Sequence, residues 1–574
     1  MAGITVLASV LVAVSFVLLY GFKEPVVSTR FLYSLQVALF AYFIGEKVYR
    51  VVNSDWDRAF WRQNRVEVTV LVLLIGFMLV QLVVSSPHNR GMVWHTVGVC
   101  LIVQVLIKLC RNTVHLASLG KNPTLMLIVS FLVLITVGSG VLCLPNASTG
   151  ARLGVVDALF TATSATCVTG LVVKDTGQDF SVMGQSVILV LMQLGGLGIV
   201  VFGAVLSLLL GQAFTLRESA AMQDLLSSQT LNRIGQMIGF IFMATLVIEV
   251  LGTLGLYCMW DNAPDWTGAA RHKWFYSLFH SVSAFCNAGF GLCSDSLVSY
   301  RGSWGVYGII CPLIVLGGLG FGVLYNLCNV LVDWIRCLGR THGQTGTPMP
   351  VRKRISLQAK IVVSVSALLV VMGAVVIVFF ESRHNVDFGT SDAFFQSITA
   401  RTAGFNTVDI RSLAPPSRLA MILLMIIGGS PGSTAGGIKT VTFAVVIMTV
   451  VISLRKRSEV DMFKRTIHAV VVRRALTVMS LYVLILFTLI FMLSATEGAN
   501  PYISLADIEF EAASALGTVG LTTGITPFLT VPGKWIIIAA MLIGRLGPLT
   551  LLAAVTFDLK PARYSYAHEA IIVG

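Results

Sequence analysis

Long apolar stretches alternate with short polar segments along the whole chain, and most of the stretches are long enough to cross a lipid bilayer as a helix. The first four are residues 4–20, 31–48, 66–84 and 92–109. Eight more follow in four pairs: 125–144 with 182–210, 234–257 with 305–332, 359–380 with 418–454, and 475–493 with 534–557. The pattern predicts an all-α integral membrane protein with twelve membrane-spanning helices.

Between the two stretches of each pair lies a short segment, and the four short segments resemble one another. They read SATCVTGL, SAFCNAGF, ITARTAGF and SALGTVGL, at residues 164–171, 283–290, 398–405 and 514–521. Aligned without gaps, they share a glycine and, ten residues earlier, a phenylalanine. The glycines are Gly170, Gly289, Gly404 and Gly520, and the phenylalanines are Phe160, Phe279, Phe394 and Phe510. Their nearly equal spacing predicts one unit used four times around a central pore.

None of the four short segments is long enough to span a bilayer. In each we therefore expect a re-entrant helix that enters the membrane from outside and is followed by extended backbone. Asp157, Ser391 and Asp507 stand thirteen residues before the shared glycine and are suitable N-cap residues, whereas the second unit has Tyr276 there. Non-helical backbone cannot face lipid, so the stretch after each helix is expected to line a water-filled path.

Backbone carbonyls around such a path would replace the hydration shell of a potassium ion. Glycine tolerates the conformations that turn carbonyls inward, and carbonyl ligation leaves the neighbouring side chains free to vary. The expected ligands are the carbonyls of Val168, Thr169, Asn287, Ala288, Thr402, Ala403, Thr518 and Val519. The complete predicted filter adds the four glycines and the preceding residues Thr166, Cys167, Cys286, Arg401 and Gly517.

An alternative role for glycine is close helix packing, as in GxxxG pairs. This role fits a set of glycines in the second helices of units one and two: Gly195, Gly196, Gly198, Gly317, Gly318 and Gly320. It does not account for one glycine at one offset in four copies, so we favour the filter for those four.

The second helix of the third unit contains a run of residues with low helix propensity. Residues 428–437 include five glycines and a proline, inside an apolar stretch of 37 residues (418–454). A single crossing needs only about 20 residues, so we expect two half-helices around a loop beneath the filter, although a simple kink is the alternative. The loop and its flank comprise Gly428, Gly429, Ser430, Pro431, Gly432, Ser433, Thr434, Ala435, Gly436, Gly437 and Lys439.

Arg545 occupies the equivalent depth in the fourth unit. An arginine inside a span is expensive and usually functional, and in a cation pore it would oppose permeation. We therefore favour a barrier role for Arg545. The alternative is a structural salt bridge, for which Glu249 is a conceivable partner.

Composition supports the membrane assignment and sets its orientation. Of the 574 residues, 56% are hydrophobic and only 12% are charged. The net charge of +13 is concentrated in a few loops, including residues 336–360 and 455–474, which the positive-inside rule places in the cytoplasm together with the N-terminus. This distribution gives no indication of nucleic-acid binding. The ten cysteines show neither zinc-site spacing nor a disulfide framework.

These residues resemble the Trk/Ktr/HKT superfamily of potassium transporters, most closely the bacterial TrkH/KtrB proteins. The resemblance covers about residues 125–574 and rests on the four segments, on GGSPGSTAGGIK (428–439), on Arg545 and on the ending YAHEAIIVG. It implies four membrane–pore–membrane units around one pore and a homodimer in the inner membrane of a bacterium. It also implies that residues 428–437 form a gating loop, with Lys439 and the barrier Arg545 as further gate residues. Some relatives that prefer sodium carry serine at the first filter position, so Gly170 favours potassium.

The resemblance also implies a partner, a cytoplasmic regulatory ring of the TrkA/KtrA type that binds the nucleotide. We therefore expect potassium as the cargo, no organic cofactor in this chain, and contacts with membrane lipid but not with nucleic acid. Four N-terminal spans depart from the TrkH pattern, which has about two before its first unit.

The expected organisation is an N-terminal transmembrane extension (1–123), three pore repeats (124–211, 232–333 and 356–455) and a fourth with the C-terminal tail (467–574). The leading function is a gated, potassium-selective uptake channel. A secondary potassium symporter coupled to sodium or protons is the alternative, since broken helices also suit that class. The spans contain no metal motif or nucleophile–base arrangement typical of an enzyme.

Overall fold

The protein is described by a computed structural model over residues 2–24, 27–53, 123–198, 234–262, 272–339, 354–384, 388–457 and 459–548, with six isolated positions between 76 and 104. The predicted spans at 66–84 and 92–109, the ends of two second helices after residues 198 and 548, and the C-terminal tail lie outside the described residues. The described part is almost entirely helical.

The first two helices, α1 (Ala2–Tyr20) and α2 (Thr29–Val52), match the first two predicted spans. Four groups then follow, each with a first helix, a short helix and a second helix. Groups one and two are α3 (Pro123–Leu142), α4 (Val155–Thr166), α5 (Val182–Leu197), then α6 (Ile234–Leu256), α7 (Lys273–Phe285), α8 (Cys311–Leu319) and α9 (Phe321–Gly339). Groups three and four are α10 (Leu357–Glu381), α11 (Thr390–Thr399), α12 (Pro415–Ile426), α13 (Thr440–Leu454), then α14 (Ala469–Glu497), α15 (Leu505–Gly517) and α16 (Val531–Leu546).

Helix length and hydropathy identify membrane crossings within the described ranges. Three helices there are long and apolar enough to cross a bilayer, namely Gly235–Trp260, Leu357–Glu381 and Ala469–Glu497. A fourth crossing would be the pair Val306–Leu319 and Phe321–Ile335, which is bent by 103°. Large apolar side chains on the long helices, such as Leu368, Val375 and Phe491, are exposed, as expected for a surface that faces lipid.

The short helices occupy the centre of the molecule. Two large hydrophobic clusters pack around them, one mainly from groups one and two and the other mainly from groups three and four. Many polar side chains are nevertheless buried there, among them Ser164, His280, Gln396 and Glu511. Because polar groups in a membrane protein concentrate in the interior, this distribution marks the short helices as the functional centre.

The short helices begin earlier than predicted. Asp157 and Asp507 are not N-caps but lie in the first turn, after Gly154 and Ser504. In α15 the Ser504 hydroxyl accepts the N–H of Asp507, and the Asp507 carboxylate accepts the N–H of Ser504, which forms a capping box. In the third group the predicted cap was Ser391, but the corresponding capping carboxylate is that of the next residue, Asp392.

Two features depart from an uninterrupted all-α prediction. A small antiparallel hairpin, β1 (Val460–Met462) with β2 (Arg465–Ile467), joins α13 to α14. The second helix of the second group was predicted to be continuous, but it breaks between α8 and α9 at Gly320. The φ of Gly320 is +86°, which is incompatible with an α-helix and which glycine adopts without steric strain.

Candidate ion pathway

The four similar segments adopt a backbone conformation that repeats in all four groups. Two residues before each shared glycine stands a residue with positive φ, at 56° in Val168, 57° in Asn287, 77° in Thr402 and 51° in Thr518. The shared glycines also have positive φ, of 93° (Gly170), 70° (Gly289), 84° (Gly404) and 90° (Gly520). Left-handed backbone at a non-glycine residue is uncommon, and its recurrence at one position in four segments shows that the surrounding structure imposes it.

The four shared glycines face one another in a closed ring. A Cβ atom added to Gly170 would lie 2.5 Å from the carbonyl oxygen of Ala288, and one added to Gly404 would lie 2.5 Å from that of Val519. The corresponding neighbour of Gly289 is the carbonyl of Ala403, and that of Gly520 is the carbonyl of Thr169. Each segment therefore meets the next in the order one, two, three, four and back to one, and only glycine leaves enough space.

Hydroxyl groups behind the ring hold each segment against its short helix. Ser164 and Ser514 accept the N–H groups of Gly170 and Gly520, both at 3.1 Å. In the other two segments, Ser283 and Thr399 donate to the carbonyls of Phe290 and Phe405, at 2.7 and 2.6 Å. This role was not predicted from the sequence, although Ser164, Ser283 and Ser514 share one offset from the glycine.

The third segment is shifted by one residue relative to the other three. Its hydroxyl is Thr399, five residues before Gly404, whereas the serines stand six residues before their glycines. The buried phenylalanine is accordingly Phe395, while Phe394 is 46% exposed. The assignment of Phe394 to the shared position was therefore wrong, because the gapless alignment ignored this shortened connection.

The glycine-rich run forms a non-helical loop, as predicted. Helix α12 ends at Ile426 and α13 begins at Thr440, and Ile427 and Ile438 lie side by side as a parallel bridge. Five glycines and a proline between them prevent helix continuation. The break into two half-helices is thus confirmed, and the kink alternative is wrong. The residues 428–437 are called the intramembrane loop below.

The intramembrane loop extends from the second group to the fourth. On one side, Ser430 donates its N–H to the carbonyl of Gly318 (3.0 Å), and Gly432 accepts the N–H of Phe321 (3.0 Å). On the other side, Gly436 lies against Gly517 and Thr518, at the start of the fourth segment. Because the second and fourth segments stand opposite each other in the ring, the loop connects two opposite groups next to the ends of their short helices.

Arg545 connects the loop to the first group. Its guanidinium donates to the carbonyl of Thr434 in the loop and to the carbonyls of Gly195 (2.6 Å) and Gly196 (3.1 Å) near the end of α5. No ion pair joins it to Glu249, although both residues lie in the described part of the chain. Glu249 instead accepts a hydrogen bond from Gln193 (3.2 Å). The alternative of a salt bridge with Glu249 is therefore wrong, and Arg545 is held by carbonyl oxygens.

Two further cations lie near the loop. The Lys439 ammonium donates to the carbonyl of Ala435 (2.7 Å). The Arg401 guanidinium, at the start of the third segment, donates to the side chain and carbonyl of Ser366 and to the carbonyl of Gly428 (3.2 Å). Arg401 thus binds the loop instead of projecting toward the ring.

Glycines of the second helices pack against the ends of the short helices. A Cβ on Gly195 would collide with the carbonyl of Thr166, and one on Gly317 with the carbonyl of Phe285. This supports the close-packing role for these two glycines. The same helices end at glycines with positive φ, Gly198 (80°), Gly320 (86°) and, in the fourth group, Gly547 (85°). From the sequence, an interruption was predicted only in the third group.

Ion pairs join successive groups around the outside of the four short helices, a region called the rim below. Lys534 of the fourth group lies 2.7 Å from Asp157 of the first, and Arg301 of the second lies 2.7 Å from Asp392 of the third. A longer contact of 3.9 Å joins Arg418 of the third group to Asp507 of the fourth. Between groups one and two, the described residues form no ion pair, and Gln178 donates to Ser294 instead (2.9 Å).

We expect the Lys534–Asp157 pair to stabilise the closed ring. Lys534→Glu should lower the apparent unfolding temperature by several degrees, because it places two carboxylates together and removes a charge-assisted hydrogen bond of about 1.5–3 kcal/mol. The double variant Lys534→Glu/Asp157→Lys should recover most of the loss in a thermal unfolding assay in detergent. Arg474→Glu, at an exposed position of α14, is the control. The pairing would be contradicted if Lys534→Glu and the control Arg474→Glu lowered the unfolding temperature equally and the double variant recovered none of the loss.

The buried polar centre and the long helices with exposed apolar side chains are those of a multi-pass α-helical membrane protein. Residues 92–564 match the TrkH family, described as a cation transport protein. The chain therefore belongs to the TrkH family of cation transport proteins, and the resemblance found in the sequence is confirmed.

Similar proteins include two named Ktr system potassium uptake protein B. The one from Vibrio alginolyticus is 38% identical, over 79% of this chain and 95% of its own length. The one from Bacillus subtilis is 37% identical, over 75% and 92%. The potassium/sodium uptake protein NtpJ of Enterococcus hirae is 33% identical, over 79% and 97%.

A solved structure shares the fold. The potassium transporter TrkH from Vibrio parahaemolyticus superposes with a TM-score of 0.59 at 18% sequence identity, covering 86% of this chain and 98% of that one. The shared fold is consistent with a helical membrane transporter whose centre lies among the short helices.

Proposed function

We propose that this chain is the pore-forming subunit of a potassium uptake system, built from four membrane–pore–membrane units around one central pore. The observation that carries the proposal is the closed ring in which four glycines and four neighbouring carbonyls meet. A dehydrated potassium ion requires several oxygen ligands at once, and rings of backbone carbonyls provide them. The curated relatives named as potassium uptake proteins support the same cargo.

The proposed ligands are the carbonyls of the two residues before each shared glycine. Alternation of left-handed residues with ordinary ones turns successive carbonyls toward the same side of the segment. The short helices end one to three residues before the first of these ligands, at Thr166, Phe285, Thr399 and Gly517. The C-terminal end of a helix carries partial negative charge, so four such ends favour a cation at the ring.

The gate of this proposal is the intramembrane loop together with Arg545. The loop connects two opposite groups of the ring and is proposed to cross its axis, and Arg545 ties the loop to the first group. A bound cation would meet both a physical obstruction and a positive charge. Since Ile427 and Ile438 hold the two ends of the loop together, its tip can move while α12 and α13 stay in place.

The chain is proposed to act with further components. The relatives of the Ktr system carry the name of one component, B, and this naming supports a regulatory partner with the nucleotide-binding ring. The exposed basic turn after α13, with Arg455, Lys456 and Arg457, is a suitable contact surface for it. We place this turn and the N-terminus in the cytoplasm, and the chain as a homodimer in the inner membrane of a bacterium.

Symport coupled to sodium or protons is the second candidate. The broken second helices favour it, because discontinuous helices at mid-membrane are common in secondary transporters. Purified protein in liposomes distinguishes the two. A channel takes up rubidium when an outward potassium gradient is the only driving force. A symporter also requires an inward gradient of sodium or protons. Absence of rubidium uptake under every gradient would overturn the proposed function.

Shortening the loop should open the gate. We expect replacement of residues 430–435 by two glycines to raise rubidium uptake about tenfold or more and to make it independent of a regulatory partner. The paired Ile427 and Ile438 leave the ends of the deletion adjacent, so the fold should tolerate it. Uptake is measured per folded protein after size-exclusion chromatography. A folded variant with unchanged uptake would show that the loop is not a gate.

A further inference from the structure

One buried carboxylate stands directly behind the ring and has no role in the function proposed above. Glu511 lies in the middle of α15, and its side chain is fully buried. The nearest shared glycine in the sequence is Gly520, nine residues later. A carboxylate in such a place is stable only when its oxygens accept hydrogen bonds.

The hydrogen bonds to Glu511 come from the segment that leaves the ring. Thr522 donates its hydroxyl to one carboxylate oxygen (2.9 Å), and Thr526 donates its hydroxyl to the other. Thr522 in turn accepts the N–H of Gly524 (2.9 Å), which has a φ of +88°. The carboxylate therefore holds a tight turn that begins two residues after Gly520.

The equivalent position differs in the other three short helices. In the second group it is His280, whose Nε2 accepts the N–H of Leu292 (3.4 Å), again in the segment that leaves the ring. In the first group Thr161 donates only to the carbonyl of Asp157 in its own helix. In the third group, after the one-residue shift, it is Gln396, whose amide finds no partner among the described residues.

We propose that Glu511 is a positioning residue that fixes the exit of the fourth segment and thereby sharpens the discrimination of the ring between potassium and sodium. The inference rests on the proposed function. Discrimination between the two ions depends on the number and spacing of the carbonyl ligands. A segment held from behind through Thr522 and Thr526 keeps the carbonyl of Val519 in place, whereas a loosened one can contract around the smaller ion.

Glu511→Gln is the principal test, because it keeps the shape of the side chain and replaces one acceptor oxygen by an amide donor. We expect the ratio of rubidium to sodium uptake in liposomes to fall about tenfold, which corresponds to about 1.4 kcal/mol. The matched control is Glu509→Gln, the same change two residues earlier at a partly exposed site, and it should leave the ratio unchanged.

A second pair of variants removes the partner instead of the carboxylate. Thr522→Val, at a partly exposed position, should lower the ratio about threefold, and Thr522→Ser should restore it because the hydroxyl remains. If Glu511→Gln yields no folded protein, this pair decides the question. A purely structural role would lower the unfolding temperature and leave the ion ratio of the folded protein unchanged.

The outcomes separate the two proposals. If the wild-type protein takes up no rubidium, the proposed function fails. If the wild type prefers rubidium over sodium and both Glu511→Gln and Thr522→Val retain that preference, the positioning role of Glu511 is overturned while the pore remains.

Discussion

Gly170→Ser is expected to reduce the preference for potassium over sodium about tenfold, or about 1.4 kcal/mol. The added Cβ would lie 2.5 Å from the carbonyl oxygen of Ala288, which is too close for any real contact, so one of the two segments must move. The φ of +93° at this position also disfavours any residue other than glycine. One distorted carbonyl layer is sufficient to change the spacing of the ligands. Rubidium and sodium uptake by the purified variant in liposomes measures the ratio.

Gly302→Ser is the matched control for this prediction. Gly302 has a similar φ of +81°, but a Cβ there would have no neighbour within 4 Å. It therefore tests the cost of the backbone conformation without the collision in the ring. Folded Gly170→Ser protein with the wild-type ion ratio would remove the support for the filter, whereas a changed ratio in Gly302→Ser would show that the assay reports general strain.

Arg545→Ala is expected to increase potassium flux about tenfold or more without a change in ion ratio. At an effective dielectric constant of about 20, two unit charges about 6 Å apart repel by about 3 kcal/mol, and even half of that value changes a rate about tenfold. The substitution also releases the loop, because the hydrogen bonds to Thr434, Gly195 and Gly196 are lost together. Rubidium uptake per folded protein measures the effect.

The competing interpretation gives Arg545 a purely structural role as a link between groups. It predicts low expression, a reduced unfolding temperature and no gain of flux. Arg545→Lys separates the effects, since lysine keeps the charge but cannot donate to three carbonyls from a rigid fork. Low flux in the lysine variant and high flux in the alanine variant would identify the charge as the barrier. High flux in both would identify the release of the loop.

The sequence predicted the main features of the fold for specific physical reasons. Apolar length located α6, α10 and α14 within a few residues, because a bilayer sets the length of a span. The shared glycines marked the ring, since the positive φ and the close approach both require glycine. The loop was predictable because residues 428–437 cannot form a helix.

Other features depend on three-dimensional contacts that single-sequence patterns do not encode. The helix ends at Gly198 and Gly547 and the break at Gly320 each require one glycine in an apolar run, which also fits ordinary close packing. The shift in the third segment is a single missing residue and was hidden by two adjacent phenylalanines. The partners of Arg545 are backbone carbonyls, and no side-chain pattern identifies those.

The rim has a consequence for the order of events during synthesis. Asp157 and its partner Lys534 are 377 residues apart, and Arg545 reaches Gly195 across 350 residues. At about 5–20 residues per second, a ribosome needs roughly 20–75 s to make the chain between Asp157 and Lys534. The first short helix is therefore made long before its ion-pair partner, and the ring can close only after the fourth group has emerged.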